Sequence, residues 1–187
     1  MENEAYKKVL DSEDFTTGGG SAAALAGAMA AALAAMVAKL SLKKDYGLPS
    51  GWYSDIAVEA DNLKKELLMG AGEDIEAFAL VKEAYALPKD SAEEKYERTA
   101  RIRKGFIAAA WVPARNGERC RRVLELSTKL VGNSNPDAVS DLEVALALAK
   151  TGLKGCVANI EINLSSIKDP RVLKELEVVA DSLRKNF

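Results

Sequence analysis

The stretch FTTGGGSAAALAGAMAAALAAMVAKLSLKKDY, from Phe15 to Tyr46, joins a glycine-rich loop to an alanine-rich segment. No charged residue occurs from Phe15 to Ala38, a length that could span a bilayer. However, 11 of the 17 residues at positions 22–38 are alanine, which is only weakly apolar. The larger apolar residues form one stripe instead of surrounding the helix; they are Leu25, Met29, Leu33, Met36 and Val37. We therefore predict a tightly packed helix in the middle of a helical bundle, and no membrane span.

The remainder of the chain is also predicted to be helical, because no stretch alternates with the two-residue period of a strand. Proline, glycine and capping signals divide it into helices. We place the first four helices at about 3–10, 21–42, 53–86 and 91–130. A fifth helix follows the polar 131–140 loop and ends at about residue 165, and a sixth covers about 170–186. The prediction is one all-α domain over residues 1–187, a bundle of long antiparallel helices with short loops. Long helices often bury further surface against another chain, so we expect a homodimer or a higher homo-oligomer.

Composition excludes several classes of function. The 26 basic and 28 acidic residues leave a net charge of −2, which argues against a nucleic-acid partner. The chain has no histidine, so it can form neither a Ser-His-Asp nor a Cys-His triad, nor a His-containing zinc site. The charged N-terminus does not resemble a signal peptide, and we expect a cytoplasmic protein with two reduced, buried thiols, Cys120 and Cys156.

The glycine loop is the first candidate binding site. Gly18, Gly19 and Gly20 permit close approach of a ligand, and the helix that follows would present unpaired N–H groups to an anion. The alternative is a flexible capping loop in which Ser21 is the N-cap. The spacing matches neither a phosphate-binding loop nor a dinucleotide fingerprint.

Asp74 is the candidate acid–base group. It is the only charged residue in a stripe that steps along one helix face by three and four residues; the stripe comprises Leu67, Ala71, Asp74, Phe78, Val81 and Tyr85. Burial raises the pKa of a carboxyl, and this would give a protein without histidine a proton-transfer group near pH 7. The alternative is a structural Asp paired with a basic residue of another helix. Glu73 points away from the stripe.

Two further sets of polar residues are candidates. Asn159 and Asn163 lie four residues apart on one predicted helix face, where they would bind either a neighbouring helix or a ligand. In the 131–140 loop, turns and helix caps explain most polar residues, although two competing N-caps, Asn135 and Ser140, leave the start of the next helix ambiguous.

Four segments together resemble the formiminotetrahydrofolate cyclodeaminase / methenyltetrahydrofolate cyclohydrolase family. They are the opening stretch quoted above, EDIEAFALVKEAYALPKDSAEEK, GNSNPDAVSDLEVA and GCVANIEINLSSIKD. The resemblance implies that Asp74 is catalytic, that Asn133 and Asp141 belong to the site, with Asp141 as a second catalytic candidate, and that the glycine loop and the Asn pair contact the substrate. Thr17 stands where the family usually has proline.

The resemblance also implies a folate substrate. Lys39, Lys43 and Lys44, otherwise a solvated face, would then attract its glutamate tail. We expect formiminotetrahydrofolate cyclodeaminase activity, with methenyltetrahydrofolate cyclohydrolase as a close alternative and a non-catalytic helical oligomerisation module as a third. Both reactions pass through a tetrahedral carbon between two nitrogens and need no metal or redox cofactor.

Overall fold

The computed structural model describes residues 4–186, which form six α-helices, a short 3₁₀ helix and no strand. The helices are α1 (Glu4–Leu10), α2 (Gly19–Ser41), α3 (Ser50–Ala86), α4 (Ala92–Leu130), α5 (Val139–Leu164) and α6 (Pro170–Arg184), and the 3₁₀ helix is Pro136–Ala138. The all-α fold class is confirmed. The first residue of the earliest predicted helix, Asn3, lies outside the described residues.

The four long helices form a bundle with a shared core. Helices α2 and α4 each pack against both α3 and α5, while α1 lies on α2 and α3, and α6 lies on α4 and α5. The core is rich in alanine on α2 and in larger side chains on the other helices, such as Leu67, Leu126, Leu153 and Leu176. Small residues on α2 allow its neighbours to approach closely.

Side-chain caps fix the starts of α4, the 3₁₀ helix and α6. The Ser91 hydroxyl accepts from the Glu94 amide at 3.1 Å and the Glu94 carboxylate accepts from the Ser91 amide at 2.9 Å, which is the predicted capping box. Asn135 caps the 3₁₀ helix, so α5 begins only at Val139 and the ambiguity of the 131–140 loop is resolved. Helix α2 begins at Gly19 with Gly18 as N-cap, so Ser21 is inside the helix and is not its cap.

The orientation of α2 differs from the prediction. Its alanines face the core, whereas Met29 and Met36 of the large apolar stripe are 48% and 38% exposed. The reason is that a close-packed interior between α3, α4 and α5 accommodates methyl groups better than long side chains. Of the five large apolar residues in the predicted stripe, Leu25 and Val37 are buried, and α1 covers Leu25. Among the helices of residues 4–186, α2 alone is long and apolar enough to cross a membrane, but 72% of its most apolar window is buried in the fold.

Two core positions show how closely the backbones approach. A Cβ on Gly27 of α2 would lie 2.4 Å from the Cys120 sulfur, and a Cβ on Gly152 of α5 would lie 2.8 Å from the Ala23 carbonyl oxygen. Cys120 and Cys156 are both free and fully buried, and a hydrogen bond with Cys120 together with burial raises the pKa of the Cys156 thiol. These small residues let α2, α4 and α5 meet at the centre of the bundle.

Candidate active site

A pocket of about 300 Å³ lies at the N-terminal end of α2, where the loop before α2 meets α3, α4 and α5. It brings together six residues that the sequence singled out as a candidate site from three separate segments: Gly18, Gly19, Gly20, Asp74, Asn159 and Asn163. Ser21, the seventh, contacts the pocket through its hydrogen bond to Asp74.

The Asp74 carboxylate lies directly against the first turn of α2. A Cβ on Gly20 would be 2.3 Å from one carboxylate oxygen and 2.6 Å from the other, so only glycine fits at this position. The Ser21 hydroxyl lies 2.9 Å from Asp74 Oδ2 and 3.0 Å from the Ala71 carbonyl oxygen, and it shares its hydrogen between these acceptors. The glycine therefore serves to admit the carboxylate.

The electrostatics of Asp74 favour a proton-transfer role. Burial raises the pKa of this carboxyl above its usual 3.8, and hydrogen bonds from the Ser21 hydroxyl and the Ser21 amide oppose part of that rise. No ion pair neutralises it among residues 4–186, so the alternative of a structural Asp paired with Lys or Arg does not hold there. Its neighbour Glu73 instead pairs with Arg115 at 3.1 Å, outside the pocket.

The two asparagines present hydrogen-bond acceptors to the pocket. The Asn159 amide nitrogen donates to the Gly155 carbonyl at 2.8 Å, and that of Asn163 donates to the carbonyls of Asn159 and Ala109 at 2.8 and 3.2 Å. Helix packing thus occupies their donors, while no donor from the described residues reaches their side-chain oxygens. Each Asn donates to the backbone and leaves an acceptor at the wall of the pocket. The packing interpretation of the pair is therefore observed, and contact with a ligand stays a prediction.

The loop before α2 is held by Asp14. Its carboxylate accepts from the Thr16 amide at 2.8 Å, from the Thr16 hydroxyl, and from the Thr17 hydroxyl at 3.0 Å. These bonds lower the pKa of Asp14, the Thr16 hydroxyl contributing most. Thr17, in place of the expected proline, therefore restrains the loop with a side-chain hydrogen bond.

Five predicted site residues lie elsewhere in the chain. Lys39 pairs with Asp61 at 2.6 Å, and Lys43 and Lys44 follow the C-terminal end of α2, about 30–35 Å along that helix from Gly20. Asn133 contacts Tyr53 through its carbonyl oxygen, and Asp141 lies in the first turn of α5, about 27 Å along that helix from Asn159. One chain does not bring these residues to the Asp74 pocket, and their roles remain predictions.

Two aromatic residues at the pocket were not predicted to belong to it. Phe15 and Phe78 both line it, and they are 85% and 45% exposed. Phe78 belongs to the apolar stripe of α3 that was predicted to face the core. Helix α2 begins beside Asp74, so it does not cover the part of α3 that follows Asp74, and Phe78 is exposed. Tyr85, further along the same stripe, is exposed for the same reason. The available signal was a phenylalanine immediately before the TTGGG loop.

Comparison with known proteins gives concordant matches. The family model described as formiminotransferase-cyclodeaminase matches residues 3–182. A methenyltetrahydrofolate cyclohydrolase from Methylorubrum extorquens is 36% identical, with 94% of this chain and 88% of the relative covered. A formimidoyltransferase-cyclodeaminase from Rattus norvegicus is 29% identical, and the match covers 91% of this chain but only 32% of that protein.

A solved structure shows the same architecture. The crystal structure of formiminotetrahydrofolate cyclodeaminase from Thermotoga maritima matches with a TM-score of 0.84 and 26% identity, over 100% of this chain and 89% of that one. The family model covers nearly the whole sequence, and the extorquens relative is covered over most of its own length. The chain belongs to the formiminotransferase-cyclodeaminase family.

Proposed function

We propose that this chain is a methenyltetrahydrofolate cyclohydrolase, which adds water to the one-carbon bridge of methenyltetrahydrofolate. The observation that carries the proposal is the Asp74 carboxylate, partly buried against Gly20 and without a cationic partner, at the wall of a pocket of suitable size. The 36% identity to a cyclohydrolase over most of both chains supports this activity over the cyclodeaminase that the sequence alone favoured.

The chemistry requires one base and one acid. The methenyl carbon lies between two nitrogens that share a positive charge, so a carboxylate beside it stabilises the bound cation. Asp74 takes a proton from the attacking water, and the new C–O bond gives a tetrahedral carbon. Asp74 then delivers that proton to one bridging nitrogen as its C–N bond breaks. The hydroxyl proton leaves to solvent as the carbonyl forms, giving formyltetrahydrofolate and one released proton.

The pocket offers complementary groups to a pterin ring. The first turn of α2 presents backbone N–H donors, and Asn159 and Asn163 present acceptors on the opposite helix. Phe15 and Phe78 supply apolar faces at the opening. A flat heterocycle whose edge carries both amide-like donors and acceptors matches this arrangement, and its glutamate tail would leave through the open side.

Formiminotetrahydrofolate cyclodeaminase is the second candidate, because the matching crystal structure is that of the Thermotoga maritima enzyme with this activity. Here one folate nitrogen attacks the carbon of the protonated formimino group and loses its proton to Asp74. Asp74 gives that proton to the departing amino group, which leaves as ammonia while the new methenyl bridge keeps the positive charge. The site described needs no additional group for this reaction. We propose for both activities a reaction without a metal or redox cofactor, in the cytoplasm.

The test supplies each folate separately to the purified chain and follows the absorbance of the methenyl bridge. A cyclohydrolase speeds the loss of that absorbance from methenyltetrahydrofolate, whereas a cyclodeaminase generates it from formiminotetrahydrofolate with release of ammonia. No acceleration with either substrate would remove the proposal. A thermal-shift titration with the same folates then separates a binding protein from a non-catalytic helical module, because a ligand that binds the native state raises the Tm.

A further inference from the structure

Two buried side chains from other helices reach the backbone of α3 just before Asp74. Three serines and one asparagine are fully buried in the described part of the chain, and two of these serines donate only to carbonyls of their own helices. The other two side chains cross to α3. The Ser21 hydroxyl of α2 donates to the Ala71 carbonyl oxygen at 3.0 Å, and the Asn116 amide nitrogen of α4 donates to the Gly70 carbonyl oxygen at 3.2 Å. Both bonds fall in the turn that precedes Asp74.

Glycine weakens this turn of α3. The sequence at positions 69–74 is MGAGED, with Gly70 and Gly72 inside the helix. A glycine stabilises a helix less than alanine does, because its unfolded backbone has more freedom to lose. Packing requires only one of the two: a Cβ on Gly70 would lie 2.0 Å from Asn116 Oδ1, whereas a Cβ on Gly72 would meet nothing within 4 Å. The interior of α3 is therefore intrinsically least stable where the cross-helix bonds reach it.

Asn116 is itself held in one orientation. Its side-chain oxygen accepts from Arg119 Nη1 at 3.0 Å, and Arg119 Nε donates to a carboxylate oxygen of Glu66 on α3 at 2.9 Å. A guanidinium can only donate, so it requires the amide oxygen of Asn116 on its own side. The amide nitrogen is thereby directed to the Gly70 carbonyl. A network that begins at a surface ion pair thus ends on the backbone beside Asp74.

We propose that Asn116 is a positioning residue for Asp74, which rests on the role of Asp74 in the proposed function. In the bonding pattern of an α-helix, the Gly70 carbonyl is the acceptor for the amide of residue 74. A movement of this carbonyl is therefore passed directly to the backbone of Asp74. The Asn116 bond fixes the glycine-containing turn and keeps the carboxylate against the first turn of α2. Asn116 does not line the pocket, so it acts only through α3.

Loss of the Asn116 bond is expected to lower kcat and to leave KM nearly unchanged. The pocket residues that would bind the substrate lie mostly on the loop before α2 and on α5, so a shift within α3 leaves them in place. A catalytic group misplaced by 1 Å costs about 100-fold in rate. The remaining Ser21 bond limits the shift, so we expect kcat of Asn116→Ala to fall about 10-fold, with KM within about two-fold of the wild type.

A second variant reaches the same turn from an accessible position. Arg119→Ala leaves Asn116 in the core but removes the bond that orients its amide, and we expect a fall in kcat of about three-fold. The matched control is Arg122→Ala, which breaks another bond between α4 and α3, the ion pair with Glu59 at 2.9 Å. Arg122 does not bond to Asn116, and its replacement should leave kcat unchanged. Equal kcat values for Arg119→Ala and Arg122→Ala overturn the proposal, even if Asn116→Ala fails to fold.

A rescue experiment separates positioning from general stability. Gly72→Ala stiffens the turn without a new contact, and in the Asn116→Ala background it should restore kcat by about three-fold. Gly51→Ala, in the first turn of α3, also adds a methyl group that meets nothing within 4 Å. It should leave kcat of Asn116→Ala unchanged. Equal kcat values for the two double variants overturn the proposal, because they assign Asn116 to the stability of the fold alone.

Hydrogen exchange followed by mass spectrometry tests the positioning without a substrate. In Asn116→Ala, peptides that cover residues 69–76 should exchange about 10-fold faster than in the wild type, while peptides that cover residues 56–67 of the same helix stay within about two-fold. If Asn116→Ala does not fold, Arg119→Ala is compared in the same way. Equal acceleration of both regions overturns the proposal. If the wild type turns over neither folate, the proposed function fails, and hydrogen exchange still decides whether Asn116 holds the turn.

Discussion

Replacing Gly20 with alanine tests whether the close contact between α2 and Asp74 is required for turnover. The new Cβ would lie 2.3 Å from Asp74 Oδ1 and 2.6 Å from Oδ2. The carboxylate must therefore retreat by about 1 Å to restore an ordinary contact. A displacement of that size in a catalytic group costs about 100-fold in rate, and we expect kcat/KM for the preferred folate to fall by about that factor, or about 2.7 kcal/mol.

The same substitution also disturbs the hydrogen bonds that Ser21 donates to Asp74. Loss of one bond to a partly buried carboxylate costs about 1–3 kcal/mol, which we expect in the free energy of unfolding by denaturant. The matched control is Gly72→Ala in α3, where a Cβ meets nothing within 4 Å. That variant should keep full activity and gain about 0.5–1 kcal/mol, because alanine is the better helix former. Wild-type turnover by Gly20→Ala would refute the assigned geometry.

Three further perturbations follow from the same contacts. Ser21→Ala removes a hydrogen bond that lowers the pKa of Asp74, so the acidic limb of the pH profile of kcat/KM should move to higher pH; an unmoved limb would mean that another group titrates. Burial raises the pKa of Asp74 above 3.8, so the native state loses stability as the pH rises through the raised pKa and the buried carboxyl ionises. Asp74→Asn has no carboxyl to ionise, so its Tm relative to the wild type should increase from pH 4 to pH 7. A Tm difference that stays constant over this pH range contradicts the prediction. Gly27→Ala would place a Cβ 2.4 Å from the Cys120 sulfur and should destabilise the fold by about 1–3 kcal/mol in denaturant titrations, without changing the pH profile.

The sequence predicted the helices well because capping and period are local properties. Ser91 with Glu94, and Pro170 after Asp169, specify helix starts by hydrogen bonds within a few residues. The start of α2 was placed two residues late because Ser21 is a good N-cap by type. In the structure its hydroxyl is required by Asp74, which is 53 residues away in the chain.

Helical register located Asp74 but could not orient α2. A period of 3.6 residues shows which side chains share a face, and it does not show which face meets the core. In α2 the alanine face is buried because three neighbouring helices approach it, so the methionines point outward. The same limit applies to Phe78, whose exposure depends on where another helix begins.

The predicted length of α2 was enough to separate the glycine loop from Lys43, but the family resemblance grouped both in one site. Motifs that follow one another in a chain do not define one site, because a helix of 23 residues carries its two ends about 34 Å apart. The glycine loop and the Asn pair meet at Asp74 because α3 and α5 both end their close packing on α2 near its first turn. The basic residues are placed at the other end by the same helix.

The central claim is that Asp74 transfers the proton during turnover of a folate one-carbon bridge. Turnover of methenyltetrahydrofolate by Asp74→Asn, compared with Glu73→Gln and the wild type, tests it most directly. Glu73 is the adjacent carboxylate and lies outside the pocket, so its replacement controls for the loss of one negative charge in α3. We expect Asp74→Asn to retain folate binding by thermal shift and to lose at least about 100-fold in kcat, as general acid–base groups contribute about 100- to 10,000-fold, while Glu73→Gln keeps wild-type turnover. Wild-type turnover in Asp74→Asn would contradict the claim.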